Sequence, residues 1–263
     1  MRPVWAIARL EIKECLRSKI IYVICALTLL FILLGRGCNA GNSTVNASLL
    51  SEEARQNISV SFAFHMISFW SMVLCGLIAS GILPKEFEDK KLLMILCRPV
   101  KRSSFLTGKL LAVMLISSSS FFLFSSIFFT LFYIDAGQVN LKIIPGAFLL
   151  LINLLSIAVI SFFSSLFLPR MLAPLTGLLI YIMSIGIEIP FYFDKIRMVW
   201  TPSAALQTIH QLFPRLGAVQ FLCGSFVNTM PSLDACLTPM SNVILYSFVL
   251  WLSVIFIFDK KQL

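Results

Sequence analysis

Two histidines, His65 and His210, and seven cysteines are the residues of this 263-residue chain best suited to act as base, nucleophile or soft metal ligand. None stands in a spacing that carries chemistry. There is no His-Glu-x-x-His pair for zinc, no Gly-x-Ser-x-Gly turn for a nucleophilic serine, and no Cys-x-x-Cys. The single Gly-Lys pair, Gly108-Lys109, has Ser103 where a phosphate-binding loop needs its leading glycine. The ten methionines are scattered, without the clustering of a soft-metal path. These absences point away from catalysis and from a nucleotide or metal bound by this chain.

The composition explains what the residues are doing instead. Hydrophobic residues make up 59% of the chain and charged ones 13%, with 24 phenylalanines. Soluble domains carry about 25% charged residues, so this chain lacks the material for a water-facing surface. Its hydrophobicity equally excludes disorder. The net charge of +9 falls mostly in two short clusters between apolar stretches. That is a topological pattern, and no aromatic-interleaved basic groove accompanies it to suggest nucleic acid.

An all-α integral membrane protein follows. A membrane helix takes about 20 apolar residues, and six segments meet or approach this: 19–36, 58–83, 106–134, 143–168, 171–193 and 243–258. The fourth and fifth are parted only by Leu168-Pro169-Arg170, a tight turn in which proline ends one helix. With the N-terminus inside, inner segments hold fifteen Lys and Arg and outer segments six, which predicts cytoplasmic N- and C-termini. A cleaved signal peptide is the rival reading of the N-terminus. Its basic region would be overlong and no small-x-small cleavage site follows Leu34, so an uncleaved span is expected.

The connecting segments differ in character. Residues 1–18 place Trp5, Ala8, Ile12 and Cys15 at helical spacing with Arg9, Lys13, Glu14 and Arg17 elsewhere, an amphipathic helix suited to the headgroup layer. In the loop 84–109, Pro84 suits a first helical position and Glu86, Glu88 and Asp89 complement the helix dipole. Pro99 should stop that helix. Leu92, Leu93 and Leu96 form one apolar side, and Phe87 and Met94, flanked by Lys90 and Lys91, form the other. Two apolar sides on a short inner helix call for two partners, one of them soluble; a solvated loop is the plainer alternative. The outer segment 194–242 carries Pro202, Pro214, Pro231 and Pro239, with apolar residues between them suggesting amphipathic or re-entrant helices too short to span. Cys223 and Cys236 fall there, where a disulfide between them is open but cannot be read from sequence.

Within the spans, Ser61, Ser68 and Ser71 share one helix face and Asn153, Ser156 and Ser164 another. Small polar residues serve helix packing, or they line a partly polar pathway or a dimer seam. Glu188 and Asp135 are the acids nearest the apolar stretches, both close to the outer interface, and no internal repeat accompanies them. An ion-driven transporter would bury such groups at mid-membrane. Energy for any transport must therefore come from outside this chain.

The order of these features resembles the membrane-spanning permease subunits of type-2 ABC transporters, mostly exporters. The likeness runs the length of the chain. It is most specific after the second span, in Glu86, Leu92-Leu93, Pro99-Val100-Lys101-Arg102 and Gly108-Lys109. The chain is most similar to the multicopper-enzyme-maturation subgroup, although Asp89-Lys90-Lys91 replaces the Gly-Thr many relatives carry after the acidic pair. The resemblance implies a coupling helix over residues 84–96 that docks on a separate cytoplasmic ATPase, which binds the ATP and Mg. It implies ATPase contacts at Glu86, Phe87, Glu88, Lys90, Lys91 and Met94, with Arg98, Pro99 and Arg102 positioning the loop. It also implies a second permease copy or paralogue, membrane lipids and an accessory or periplasmic subunit as partners, in a bacterial inner membrane. A non-transporting scaffold or sensor that recruits a cytoplasmic partner is the alternative.

Overall fold

A computed structural model of the chain describes residues 2–41, 52–88, 102–136, 143–169, 172–195, 204–226 and 231–260. Among the described residues the structure is wholly helical, with no strand. In chain order the helices are α1 (Arg2–Leu16), α2 (Lys19–Gly41), α3 (Glu52–Glu88), α4 (Arg102–Ala136), α5 (Ile143–Ser165), α6 (Ala173–Lys195), α7 (Ala204–Leu212), α8 (Leu216–Ser225) and α9 (Leu233–Lys260). Five segments are long and apolar enough to cross a membrane: Val60–Pro84, Ser103–Ile134, Ile144–Ser165, Ala173–Phe191 and Asp234–Lys260. The expected first span corresponds to α2, whose described apolar stretch, Tyr22–Leu33, is shorter.

α5 is the hub, packed against α3, α4, α6, α8 and α9. Its sequence is apolar around the whole circumference, the pattern of a helix surrounded by others. Ala158, Ser156 and Ser161 keep its surface low enough for close neighbours. Leu150, Leu154 and Phe162 bury completely there, alongside Phe64 and Ile67 of α3 and Phe121 of α4. α9 is the opposite case: Leu245, Phe248, Leu252 and Phe256 remain exposed along one side, a surface suited to lipid.

The tight turn after α5 is present where proline predicts it. The Leu168 amide donates to the Ser164 carbonyl at 2.9 Å, and the Leu172 amide reaches back to the Pro169 carbonyl at 3.0 Å. Two other prolines lie inside helices. Pro84 was expected to open a separate helix, but α3 runs through it to Glu88. Pro239 lies inside α9, which starts at Leu233, ahead of the stretch 243–258 expected as the last span. An interior proline costs about 3 kcal/mol through one lost hydrogen bond and a clash. In an apolar surround, breaking the helix would strand several backbone groups at several kcal/mol each, so the continuous helix wins. Two short helices, α7 and α8, lie in the segment 194–242, where short helices were expected.

Candidate functional site

The first cluster lies where α1 docks along the start of α4. Gly108 of α4 faces the α1 backbone: a Cβ there would come within 2.9 Å of the Val4 carbonyl oxygen and 3.1 Å of Ile7 Cβ. No larger residue allows the two helix backbones to approach this closely. One residue on, the Lys109 Nζ donates to Glu11 Oε2 at 2.5 Å, with both side chains buried. The ammonium also sits 5.1 Å from the centre of the Phe105 ring, and Phe105 stacks on Phe258 near the end of α9. Ala8 of α1 is fully buried in the same contact. Taking both charges out of water offsets most of their mutual attraction, so the pair contributes register more than stability. Sliding α1 along α4 would leave a buried charge without its partner.

This geometry gives the Gly-Lys pair a structural meaning. The glycine provides the close approach and the lysine the lock. The acidic partner, Glu11, was not singled out from sequence; the signal available was a carboxylate among the apolar residues Ala8 and Ile12 rather than on the basic face.

A second cluster surrounds α8, which packs against α3, α5, α6 and α9. Asn153 of α5 donates from Nδ2 to the Leu216 carbonyl at 3.0 Å, meeting the first turn of α8. Gln220 donates from Nε2 to Ser68 Oγ of α3 at 2.6 Å. Ser184 of α6 donates to the Pro214 carbonyl at 2.8 Å and accepts the Gly217 amide at 2.9 Å. A Cβ on Gly217 would meet the Ser184 carbonyl oxygen at 2.7 Å, so α8 and α6 touch backbone to backbone. The approach to α8 is held by Arg215, whose Nη2 bonds His210 Nδ1 at 3.0 Å, while His210 Nε2 lies 3.1 Å from Glu188 Oε1. Arginine only donates, so Nδ1 accepts and Nε2 carries the proton toward Glu188.

The polar residues expected to share faces fall into two groups. Ser68, Asn153, Ser156 and Ser164 each join a second segment. Ser156 meets Ser247 of α9 at 2.6 Å, and Ser164 accepts the Thr176 hydroxyl of α6 at 2.6 Å. Ser71 bonds only its own helix, to the Ile67 carbonyl at 2.8 Å, and Ser61 is half-buried with its carbonyl against His65 Nδ1. Beside this network an apolar cavity of about 200 Å³ opens between α3, α5 and α6, lined by Phe69, Met72, Gly76, Ile157, Leu178 and Tyr181.

Of the residues implied as ATPase contacts, Glu86, Phe87 and Glu88 form the last turn of α3. Lys90, Lys91 and Met94, and the loop residues Arg98 and Pro99, lie outside the described residues. Arg102 opens α4. No bridge joins Cys223 and Cys236. Both are free thiols, Cys223 buried in α8 and Cys236 half-buried in α9.

No curated protein matches the chain. The family described as ABC-2 family transporter protein matches residues 8–195, which takes in most of α1 and every helix through α6. That span covers well over half the sequence, and the chain, a multi-pass membrane protein, belongs to the ABC-2 transporter family, the membrane subunits of ABC transporters.

Proposed function

We propose that the chain is the non-catalytic permease of an ATP-driven exporter, coupled to a separate cytoplasmic ATPase that holds the ATP and Mg. In this reading α2 completes six spans, both termini are cytoplasmic, and α1 lies in the inner headgroup layer. Residues 84–96, from the end of α3 onward, dock on the ATPase. The permease works as a pair, with a second copy or a paralogue, and falls in the multicopper-enzyme-maturation subgroup.

The observation that carries this reading is the junction of α1 with α4. The segment between α3 and α4 ends at Arg102, and α4 is locked to α1 seven residues later by Glu11 and Lys109. A push delivered to that segment is therefore delivered to α1 at the same time. Two elements that would otherwise move separately act as one lever at the foot of α4. The hydrogen-bonded contacts around α8 fit a closed outer end against which such a lever works, and the serine faces would border the pathway when the helices re-pack.

The test is affinity purification of the tagged protein from its own host membranes in mild detergent, with mass spectrometry of the co-purifying chains. A P-loop ATPase near one-to-one is the expected result. A partner without ATPase motifs, recovered with non-hydrolysable ATP present, would favour the scaffold or sensor instead.

A further inference from the structure

The side of α1 turned away from α4 carries a pattern of its own. Trp5, Arg9 and Lys13 recur every four residues, which places them along one stripe of the helix, and Arg17 follows at the same spacing in the turn after it. Leu16 on one edge and Leu10 on the other are 49% and 60% exposed, and Trp5 is 59% exposed. Glu11 is turned into the contact with α4, and Glu14 is half-buried at the margin, so the exposed arc holds three cations and no carboxylate. On the Leu16 edge the apolar surface continues into α2. The chain turns at Arg17-Ser18, where the Ser18 amide donates to the Cys15 carbonyl at 2.9 Å, and the Tyr22 hydroxyl of α2 donates to the Leu16 carbonyl at 2.9 Å. Beyond it Tyr22 and Val23 are exposed on an apolar helix.

We infer that this arc is a docking surface for an anionic lipid bilayer, with Arg9, Lys13 and Arg17 binding phosphodiester headgroups such as phosphatidylglycerol while Trp5, Leu10 and Leu16 sit at the acyl boundary. The basic residues supply the charge complement of an anionic headgroup. The flanking apolar residues, and their continuity with the exposed face of α2, select a bilayer over an acidic soluble partner, which would meet charge without that apolar border. Because Glu11 and Lys109 fix α1 to α4, headgroup composition also bears on how α4 is held. The inference rests on the placement of α1 in the headgroup layer proposed above.

The test uses the full-length protein alone in phosphatidylcholine vesicles, with a trace of photoactivatable phosphatidylglycerol or, separately, photoactivatable phosphatidylcholine. Peptide mapping reads the adducts on residues 2–18. The expected phosphatidylglycerol-to-phosphatidylcholine ratio there is on the order of five, the gain that one basic residue gives near an anionic headgroup. R9Q/K13Q/R17Q should bring the ratio to about one, while adducts on the exposed face of α9 stay unchanged. Should the triple variant lose the α9 adducts and so be misfolded, wild-type protein at about 1 M salt, where screening acts within about 3 Å, should show the same collapse. A wild-type ratio near one, or a ratio that survives both the substitutions and the salt, overturns the inference and leaves the stripe to an acidic soluble partner. No ATPase is present, so failure of the coupling proposal would leave this measurement unaffected.

Discussion

Glu11 and Lys109 stand 98 residues apart in the chain and meet at 2.5 Å in a buried contact. Their ion pair fastens α1 to α4. Removing either side chain breaks a buried ion pair, which costs about 3–5 kcal/mol. E11A and K109A should each lower the thermal midpoint of the detergent-solubilised protein markedly. The double replacement E11L/K109M, which removes both charges and keeps the volume, should recover most of the loss. If the double variant melts as low as the singles, the pair is not acting as a unit.

Gly108 tests the same junction sterically. G108L places a side chain where the Val4 carbonyl oxygen lies 2.9 Å from the Cβ position, so α1 must move outward. Overpacking of this kind costs about 1–3 kcal/mol. An A8C probe, buried in the otherwise native protein, should then become reactive to a water-soluble maleimide, read by mass spectrometry at residue 8. Continued protection of A8C in the G108L background would show that the helices do not depend on this approach.

Much of this architecture is legible in the sequence. The helical class and the turn at Pro169 follow from apolar run length and proline, and the short helices of the outer segment follow from apolar residues set between prolines. Pro84 misleads because its penalty is judged against water, whereas an apolar surround makes a broken helix costlier than a kinked one. Gly108-Lys109 is visible as a pair, but its meaning depends on Glu11, and nothing local connects positions 98 residues apart. Gln220 escapes notice for the same reason: its partner Ser68 is 152 residues away.

The contact between Gln220 and Ser68 lends itself to a double-mutant cycle. Polar pairs between membrane helices couple by about 0.6 kcal/mol on average and about 1.7 at most. S68A and Q220L, separately and together, should return a coupling in that range from unfolding in detergent. A coupling of zero would mean that this contact adds nothing and that α8 is held by Asn153, Ser184 and the close approach at Gly217.

The two thiols of α8 and α9 make a redox prediction. Cys223 and Cys236 are free, so non-reduced peptide mapping should recover each of them unpaired. A small maleimide should label half-buried Cys236 readily and reach buried Cys223 only after denaturation. Equal labelling of both without denaturant would show that α8 leaves its site.

The position of α8 also has a consequence for the order of biogenesis. Leu216–Ser225 is made after α3, α5 and α6, yet it packs against all three. Until Leu216–Ser225 has emerged and packed, the polar groups it meets, on Ser68, Asn153 and Ser184, must be satisfied by water or by provisional partners. Docking of α8 is therefore a late insertion that displaces those occupants, and α9 closes over it afterwards. A chain truncated after Pro214 and released from the ribosome should leave an S68C probe open to a small alkylating reagent, and the full chain should close it. An S68C site already shielded in the truncated chain would mean that the site for α8 forms only as α8 arrives.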